Sequence, residues 1–348
     1  MPIAHCESTA PRLDTWVYIE LHRFGHKNMN NWIRILPLAL LMPAAAAAQM
    51  PTKVPNGLPS WSYNIPDKDQ PPIVEQTGPI SVPGSSKVLD RAQVTSAANP
   101  PDWFPEEHGP APRIVKDESG KAKTACGTCH LMSGQGHPES ADIAGLPVEY
   151  FTRQMMYFKT GVRKEEDRMG PIARATSDED VRLAAEYYAA IKPIPWVKVI
   201  ETANPPKTYV SVGARHRLLD PAGGTEPIGH RIIETPVDPA LTADRDPHSA
   251  FLAYVPPGSI ERGGALVKTG GAGKTIQCAI CHGDDLKGLG EVPRLAGMQP
   301  VYLARQLILM QNGSSAGTAA ALMKKVVANL SEDDIIAISS YLGSLPPQ

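Results

Sequence analysis

Two short stretches of one pattern, CGTCH (Cys126–His130) and CAICH (Cys278–His282), decide how this chain is interpreted. Each stretch places two cysteines three positions apart and a histidine directly after the second cysteine. Three kinds of chemistry use such closely spaced cysteines: disulfide bonds, zinc sites and covalent haem attachment. The rest of the sequence discriminates among the three.

The beginning of the chain has the pattern of an export signal. Met29 opens a segment with one basic residue, Arg34, then an apolar run, then small residues before Gln49. This order is typical of a secretory signal peptide, and the apolar run is shorter than the roughly 20 residues that span a bilayer. A permanent N-terminal anchor is the alternative. We predict a misassigned upstream start at 1–28, a signal peptide at 29–48 and a periplasmic mature protein.

The cysteines favour haem once this signal is removed. Four of the five cysteines then remain, all in the two CXXCH stretches, because Cys6 is lost. Cysteines this close usually form redox-active disulfides, and a four-cysteine zinc site would leave both histidines without a role. In haem attachment, two thiols bind one porphyrin and the adjacent imidazole binds the iron. The sequence therefore predicts two covalent c-type haems, held by Cys126, Cys129, Cys278 and Cys281.

An internal repeat surrounds the two motifs. At an offset of 152 residues (278 minus 126), IAGLPVEYFTRQMMYFKTG (143–161) aligns without a gap with LAGMQPVYLARQLILMQNG (295–313). Further on, MGPIARATSDEDVRLAAEYY (169–188) aligns with MKKVVANLSEDDIIAISSYL (323–342) at an offset of 154 residues. Each copy predicts a CXXCH helix, a helix that ends at glycine, a loop with an aligned methionine, and a last helix capped by serine.

This arrangement resembles class I cytochrome c, and specifically the dihaem cytochrome c4 type. The resemblance covers roughly Ala111–Pro195 and Gly258–Pro346. It implies an all-α fold with two cytochrome c domains in tandem, at 111–195 (the first unit) and 258–348 (the second unit).

The resemblance also assigns the axial ligands of both irons. The histidine of each CXXCH is the proximal ligand and the aligned methionine is the distal ligand, which implies His130 and Met169 for the first haem, and His282 and Met323 for the second. The alternative for each methionine is core packing or a loose surface side chain. Three methionines without an aligned partner are expected in the core or the haem pocket: Met132, Met298 and Met310.

One departure from the family pattern concerns the carbonyl that orients the proximal imidazole. The second unit has the family's proline at this point, Pro293, whereas the first unit has Ala141. An alanine still offers a carbonyl, so we expect a functional proximal ligand in both units.

The remaining segments are irregular in sequence. Pro (35) and Gly (29) are abundant and aromatic residues make up only 6%, which predicts small cores joined by irregular chain. We expect residues 49–110 (the arm) to extend over the first unit with Trp61, Trp103 and Phe104 as anchors; disorder is the alternative. Residues 196–257 (the linker) are predicted to be irregular. Three linker histidines are expected on the surface: His216, His230 and His248.

Two classes of ligand are excluded. A net charge of −2 indicates no nucleic-acid partner. GGAGKT (Gly270–Thr275) is no phosphate-binding loop, because Lys268 stands where that motif needs glycine. We therefore expect neither nucleic acid nor nucleotide to bind.

Two His/Met-ligated haems leave no iron position open to substrate, so the resemblance implies an electron carrier without catalytic residues. We expect it to pass one electron per haem between a dehydrogenase or quinol-oxidising complex and a terminal acceptor. Expected partners are redox proteins, with association at the inner-membrane surface. The alternatives are a dihaem cytochrome c peroxidase-like enzyme, in which one haem lacks a fixed methionine, and the cytochrome subunit of a dehydrogenase or oxidase.

Overall fold

A computed structural model describes four stretches of the chain, 54–71, 78–118, 120–212 and 216–347. The upstream start (1–28) and the signal peptide (29–48) predicted from the sequence lie outside the described residues. All described residues belong to one body, Gln49–Gln348. No helix among them is both long and apolar enough to cross a membrane.

Over its described residues the arm is mostly irregular, with short 3₁₀ turns and one short α-helix, α1 (Arg91–Thr95). The three predicted anchors are packed: Trp103 and Phe104 are buried in a small separate core, and Trp61 is half-buried against the main core. The arm is not confined to the first unit, however. Trp103 Nε1 donates to the carbonyl of Asp244 in the linker at 2.8 Å, and Trp61 Nε1 donates to Glu332 of the second unit at 2.6 Å.

The first unit is helical, as predicted. Its helices are α2 (Arg113–Lys116), α3 (Gly127–His130), α4 (Val148–Thr160), α5 (Met169–Ala175) and α6 (Asp178–Ala189). α4 ends at Gly161, whose φ of 74° lies in the left-handed region that glycine adopts most readily. Ser177 caps α6 by accepting from the backbone N–H of Asp180, which confirms the predicted cap.

The linker differs from the prediction, because it contains β-structure rather than irregular chain alone. Its elements are β1 (Val197–Glu201), β2 (Thr208–Val210), β3 (Arg217–Leu219), β4 (Ile233–Pro236), α7 (Pro239–Ala243) and β5 (Phe251–Val255). β5 is the middle strand of a three-stranded sheet, parallel to β1 and antiparallel to β4, and β2 pairs with β3. The all-α description therefore suits the two units but not the segment between them.

The second unit repeats the helix order of the first. Its helices are α8 (Ser259–Thr269), α9 (Ala279–His282), α10 (Pro300–Gln311), α11 (Thr318–Val327) and α12 (Glu332–Ser344). Ser331 and Asp334 form a reciprocal capping box on α12, as the sequence predicts. α8 packs closely on α12 at Gly263, where an added Cβ would lie 1.9 Å from the carbonyl oxygen of Ala337.

The two units share one hydrophobic core and are joined by polar contacts at aligned positions. Arg163 donates to the side-chain oxygen of Gln154 at 2.9 Å. It also donates, at 2.6 Å, to Gln306, the residue that aligns with Gln154 in the repeat. Arg294 of the second unit forms a buried ion pair with Asp142 of the first. These contacts link repeat-related segments of the two units.

Candidate haem-binding sites

The proximal histidine of the first unit is oriented by a backbone carbonyl. His130 ends the short helix α3, and its Nδ1–H donates to the carbonyl oxygen of Ala141 at 2.8 Å. This hydrogen bond leaves the Nε2 lone pair for a metal. Burial lowers the pKa of His130 to about 4, so the ring is neutral near pH 7, the form in which imidazole binds iron.

The second unit reproduces this geometry with a different residue. His282 Nδ1–H donates to the carbonyl of Pro293, also at 2.8 Å, and burial lowers the pKa of His282. The predicted roles of the Ala141 and Pro293 carbonyls are therefore confirmed. An alanine replaces the proline without loss of the hydrogen bond, because only the carbonyl takes part.

The cysteines stand beside these histidines without bonding to one another. Among the described residues they form no disulfide, and no cysteine belongs to a cluster of ligand-type side chains. This arrangement does not support the disulfide and four-cysteine zinc alternatives. Burial raises the pKa of Cys126 to about 12 and that of Cys278 to about 11.

A cavity of about 1250 Å³ lies beside the first CXXCH. Residues predicted for the first haem line it together: Cys126, Cys129, His130 and Met169. Its volume exceeds the roughly 300–1000 Å³ of ordinary ligand pockets, which fits a group as large as a porphyrin. The linker completes the wall with Trp196, among other residues, which sequence reasoning did not anticipate because the repeat does not include the linker.

The two predicted methionine ligands differ in their local structure. Met169 is the first residue of α5, where the Glu165 carboxylate accepts its backbone N–H. Met323 lies inside α11, and its half-buried side chain packs against the main core. The roles of both as iron ligands remain predictions. Of the unaligned methionines, Met132 and Met298 are buried in this core and Met310 packs against it, as expected.

Sequence reasoning missed one cluster on the cavity wall, formed by His137, Glu139 and His216. The expectation that His216 is a surface side chain is wrong, because it is buried and 3.2 Å from Glu139. Burial alone would raise the pKa of Glu139, but the two histidines lower it below its ordinary value. Burial lowers the pKa of His137.

The other two linker histidines are exposed in part or in full. His230 is hydrogen-bonded to Asp333 at 2.7 Å and His248 to Glu107 at 3.0 Å. Neither lines the cavity beside the first CXXCH. They therefore fit the predicted surface role.

Comparison with known proteins points to haem proteins. No family model matches the chain. Cytochrome c-554(548) of Halomonas halodenitrificans is 36% identical over 75 residues, which cover 21% of this chain and 90% of that protein. Cytochrome c4 of Pseudomonas aeruginosa is 26% identical over 232 residues, 65% of this chain and 87% of that protein. A thiosulfate dehydrogenase electron acceptor of Thiomonas intermedia is 24% identical over 225 residues, 64% of this chain and 79% of that protein.

Proposed function

The chain belongs to the dihaem class I c-type cytochromes and holds two covalently attached haems. On this premise, we propose that it functions as an electron carrier. Each haem supplies one-electron chemistry when bound. The chain takes part in electron transfer, and we propose that it passes one electron per haem from a periplasmic donor to a terminal acceptor. The observation that carries this proposal is the pair of CXXCH histidines, His130 and His282, each oriented by a backbone carbonyl.

The chain's own residues have three roles in this proposal. The thiols of each CXXCH anchor a haem as thioethers: Cys126, Cys129, Cys278 and Cys281. His130 and His282 would bind the iron through Nε2, since their Nδ1 atoms are hydrogen-bonded to backbone carbonyls that fix the ring plane. Met169 and Met323 would hold the iron through sulfur, a ligand that raises the reduction potential of a haem and would leave no position for substrate.

The relatives support a redox-protein partner. The name of the Thiomonas relative describes a protein that accepts electrons from a dehydrogenase. For this chain we propose a periplasmic dehydrogenase or a quinol-oxidising complex as donor. Co-purification at moderate salt tests the mode of contact: a stable dehydrogenase partner would make the chain a subunit, and a single species would make it a free carrier.

The peroxidase-like alternative is not favoured. Such an enzyme needs one iron whose distal side opens to peroxide, whereas both units here contain an aligned methionine. The relatives reported above are named for electron transfer or as cytochromes, not as peroxidases.

An optical experiment tests the proposal. The chain is expressed from Met29 with haem-attachment machinery, and haem is counted per chain in the oxidised and reduced forms. We expect two haems, a near-infrared sulfur-to-iron band of strength fitting two methionine ligands, and no turnover of peroxide. One methionine-ligated haem beside one high-spin haem that consumes peroxide would contradict it.

A further inference from the structure

We propose that His137, Glu139 and His216 form a binding site for one divalent transition-metal ion, distinct from the haem irons. Their potential ligand atoms all lie within 4.8 Å of one another. Glu139 Oε2 is 3.2 Å from His216 Nδ1 and 3.4 Å from His137 Nδ1. A tetrahedral ion with bonds of about 2.0–2.1 Å separates neighbouring ligand atoms by about 3.3 Å. Both histidine-to-carboxylate distances therefore match the spacing of such a site, and the third pair lies within 4.8 Å.

The cluster converges inward and is sheltered from water. The side chains of His137, Glu139 and His216 are 20%, 16% and 8% exposed. Both imidazoles place Nδ1 beside the same carboxylate oxygen, and the contact of His137 Nδ1, at 3.4 Å, does not have the geometry of a hydrogen bond. An ion between these atoms would satisfy that nitrogen, since metals bind the neutral imidazole lone pair.

The backbone holds the ligand loop in place. The N–H of Ser140 donates to the carbonyl of His137 at 2.7 Å. Arg305 donates to the carbonyls of Pro138 and Glu139 at 2.9 and 3.2 Å. This guanidinium stiffens the loop, but its positive charge opposes a cation and is expected to lower the affinity.

The donor set selects the kind of ion. Two imidazoles and one carboxylate suit zinc, copper, nickel or cobalt better than calcium or magnesium, which prefer oxygen ligands. The second unit offers no equivalent, because Leu289 and Glu291 align with His137 and Glu139, and Glu291 pairs with Arg153 at 2.7 Å. The site therefore depends on the first unit and the linker together.

Zinc titration of the protein with both haems tests the site. Calorimetry and metal analysis after dialysis should give one Zn²⁺ per chain. His216→Gln and Glu139→Gln should each weaken zinc binding at least about tenfold, because even the loss of residues that only support metal ligands has an effect of this size. His230→Gln, at an exposed histidine paired with Asp333, is the matched control and should bind zinc as the unaltered chain does.

Two further readouts complete the test. Cu²⁺ at this site should give an electron paramagnetic resonance spectrum with coupling to two nitrogens, reduced to one in His216→Gln. Haem is counted in every variant, and if His216→Gln loses haem, Glu139→Gln alone decides. Absence of zinc binding in the unaltered chain, or equal binding in Glu139→Gln, would make the cluster a hydrogen-bonded structural element only. Neither result bears on electron transfer, which is measured separately.

Discussion

The two CXXCH motifs have the same pattern but different surroundings. In the first unit the arm lies over the motif, where Thr128 Oγ1 and the N–H of Ala125 both donate to the carbonyl of Ala97, at 2.6 and 2.9 Å. In the second unit Ile280, which aligns with Thr128, is 64% exposed. Cys281 is likewise exposed, whereas its counterpart Cys129 is half-buried.

This difference shows that a repeated haem motif does not create two equivalent haem sites. Burial disfavours the extra positive charge of oxidised iron, and solvent exposure is one determinant of haem potential. We therefore expect the first haem to have the higher reduction potential and the second haem to be the more accessible to a partner.

Removal of the thioether anchors should have the largest effect. Cys278→Ala/Cys281→Ala and Cys126→Ala/Cys129→Ala should each lower the haem count from two to one. Each should also lower the free energy of unfolding by more than about 3 kcal/mol, the scale of a large core deletion, because haem fills part of each core. Haem analysis and chemical unfolding measure both. A soluble, fully folded second unit without haem would contradict the expectation.

Replacement of the distal methionines should have the next largest effect. Met169→Leu and Met323→Leu should each halve the near-infrared sulfur-to-iron band. Each should also lower one potential by about tenths of a volt, within the roughly 0.8 V that axial ligation spans. Redox titration followed optically separates the two haems. Met310→Leu is the control and should leave the band unchanged, and an intact band in Met169→Leu would remove that residue as a ligand.

The aligned carboxylates of the last helices should differ in their contribution to stability. Asp334 is 2% exposed and pairs with Arg262 and Lys274, whereas its counterpart Asp180 is 24% exposed. Asp334→Asn should cost about 2 kcal/mol and Asp180→Asn about 1 kcal/mol or less, because the buried Asp334 carboxylate loses two cationic partners, which are themselves 48% and 38% exposed and stay hydrated. Urea unfolding measures both. Equal losses would show that the burial difference does not matter.

Asp334 also predicts a pH dependence. Burial alone would raise its pKa, but Lys274, Ser331 and Arg262 lower it below the ordinary value. The stabilisation is therefore present above the unfolded-state pKa of about 3.9 and is lost as pH falls below it. In an acid titration of stability, Asp334→Asn should flatten the loss at low pH. An unchanged acid profile would contradict this assignment.

Exchange of the residues whose carbonyls accept from the proximal histidines should have the smallest effect. Ala141→Pro and Pro293→Ala keep the carbonyl that each histidine uses, so both should retain two haems. Their potentials should move less than in either methionine variant, because the hydrogen bond to Nδ1 remains. Redox titration checks this, and loss of haem in Pro293→Ala would show that the proline ring itself is needed.

The sequence predicted the parts that depend on local chemistry. Ser177 and Ser331 each cap a helix by accepting from the backbone N–H three positions later, a contact that the local sequence alone predicts. The roles of the Ala141 and Pro293 carbonyls follow from the resemblance to class I cytochrome c, in which the carbonyl at this position orients the proximal imidazole, and the structure has both hydrogen bonds. The linker sheet was missed because its strands are short and β1 pairs with β5, Val197 lying opposite Phe251. No local periodicity reveals a pairing between residues so far apart.

The sequence by itself determined the haem motifs, the helix order of each repeat and the aligned methionines, because these depend on side-chain identity at fixed spacing. Only the tertiary structure decided which motif is covered and which is exposed, since the arm reaches the first motif through Ala97. It also decided that His216, an ordinary linker histidine in sequence, is buried beside Glu139. Whether a side chain is buried, and which other side chains it meets, depends on what distant parts of the chain pack against it.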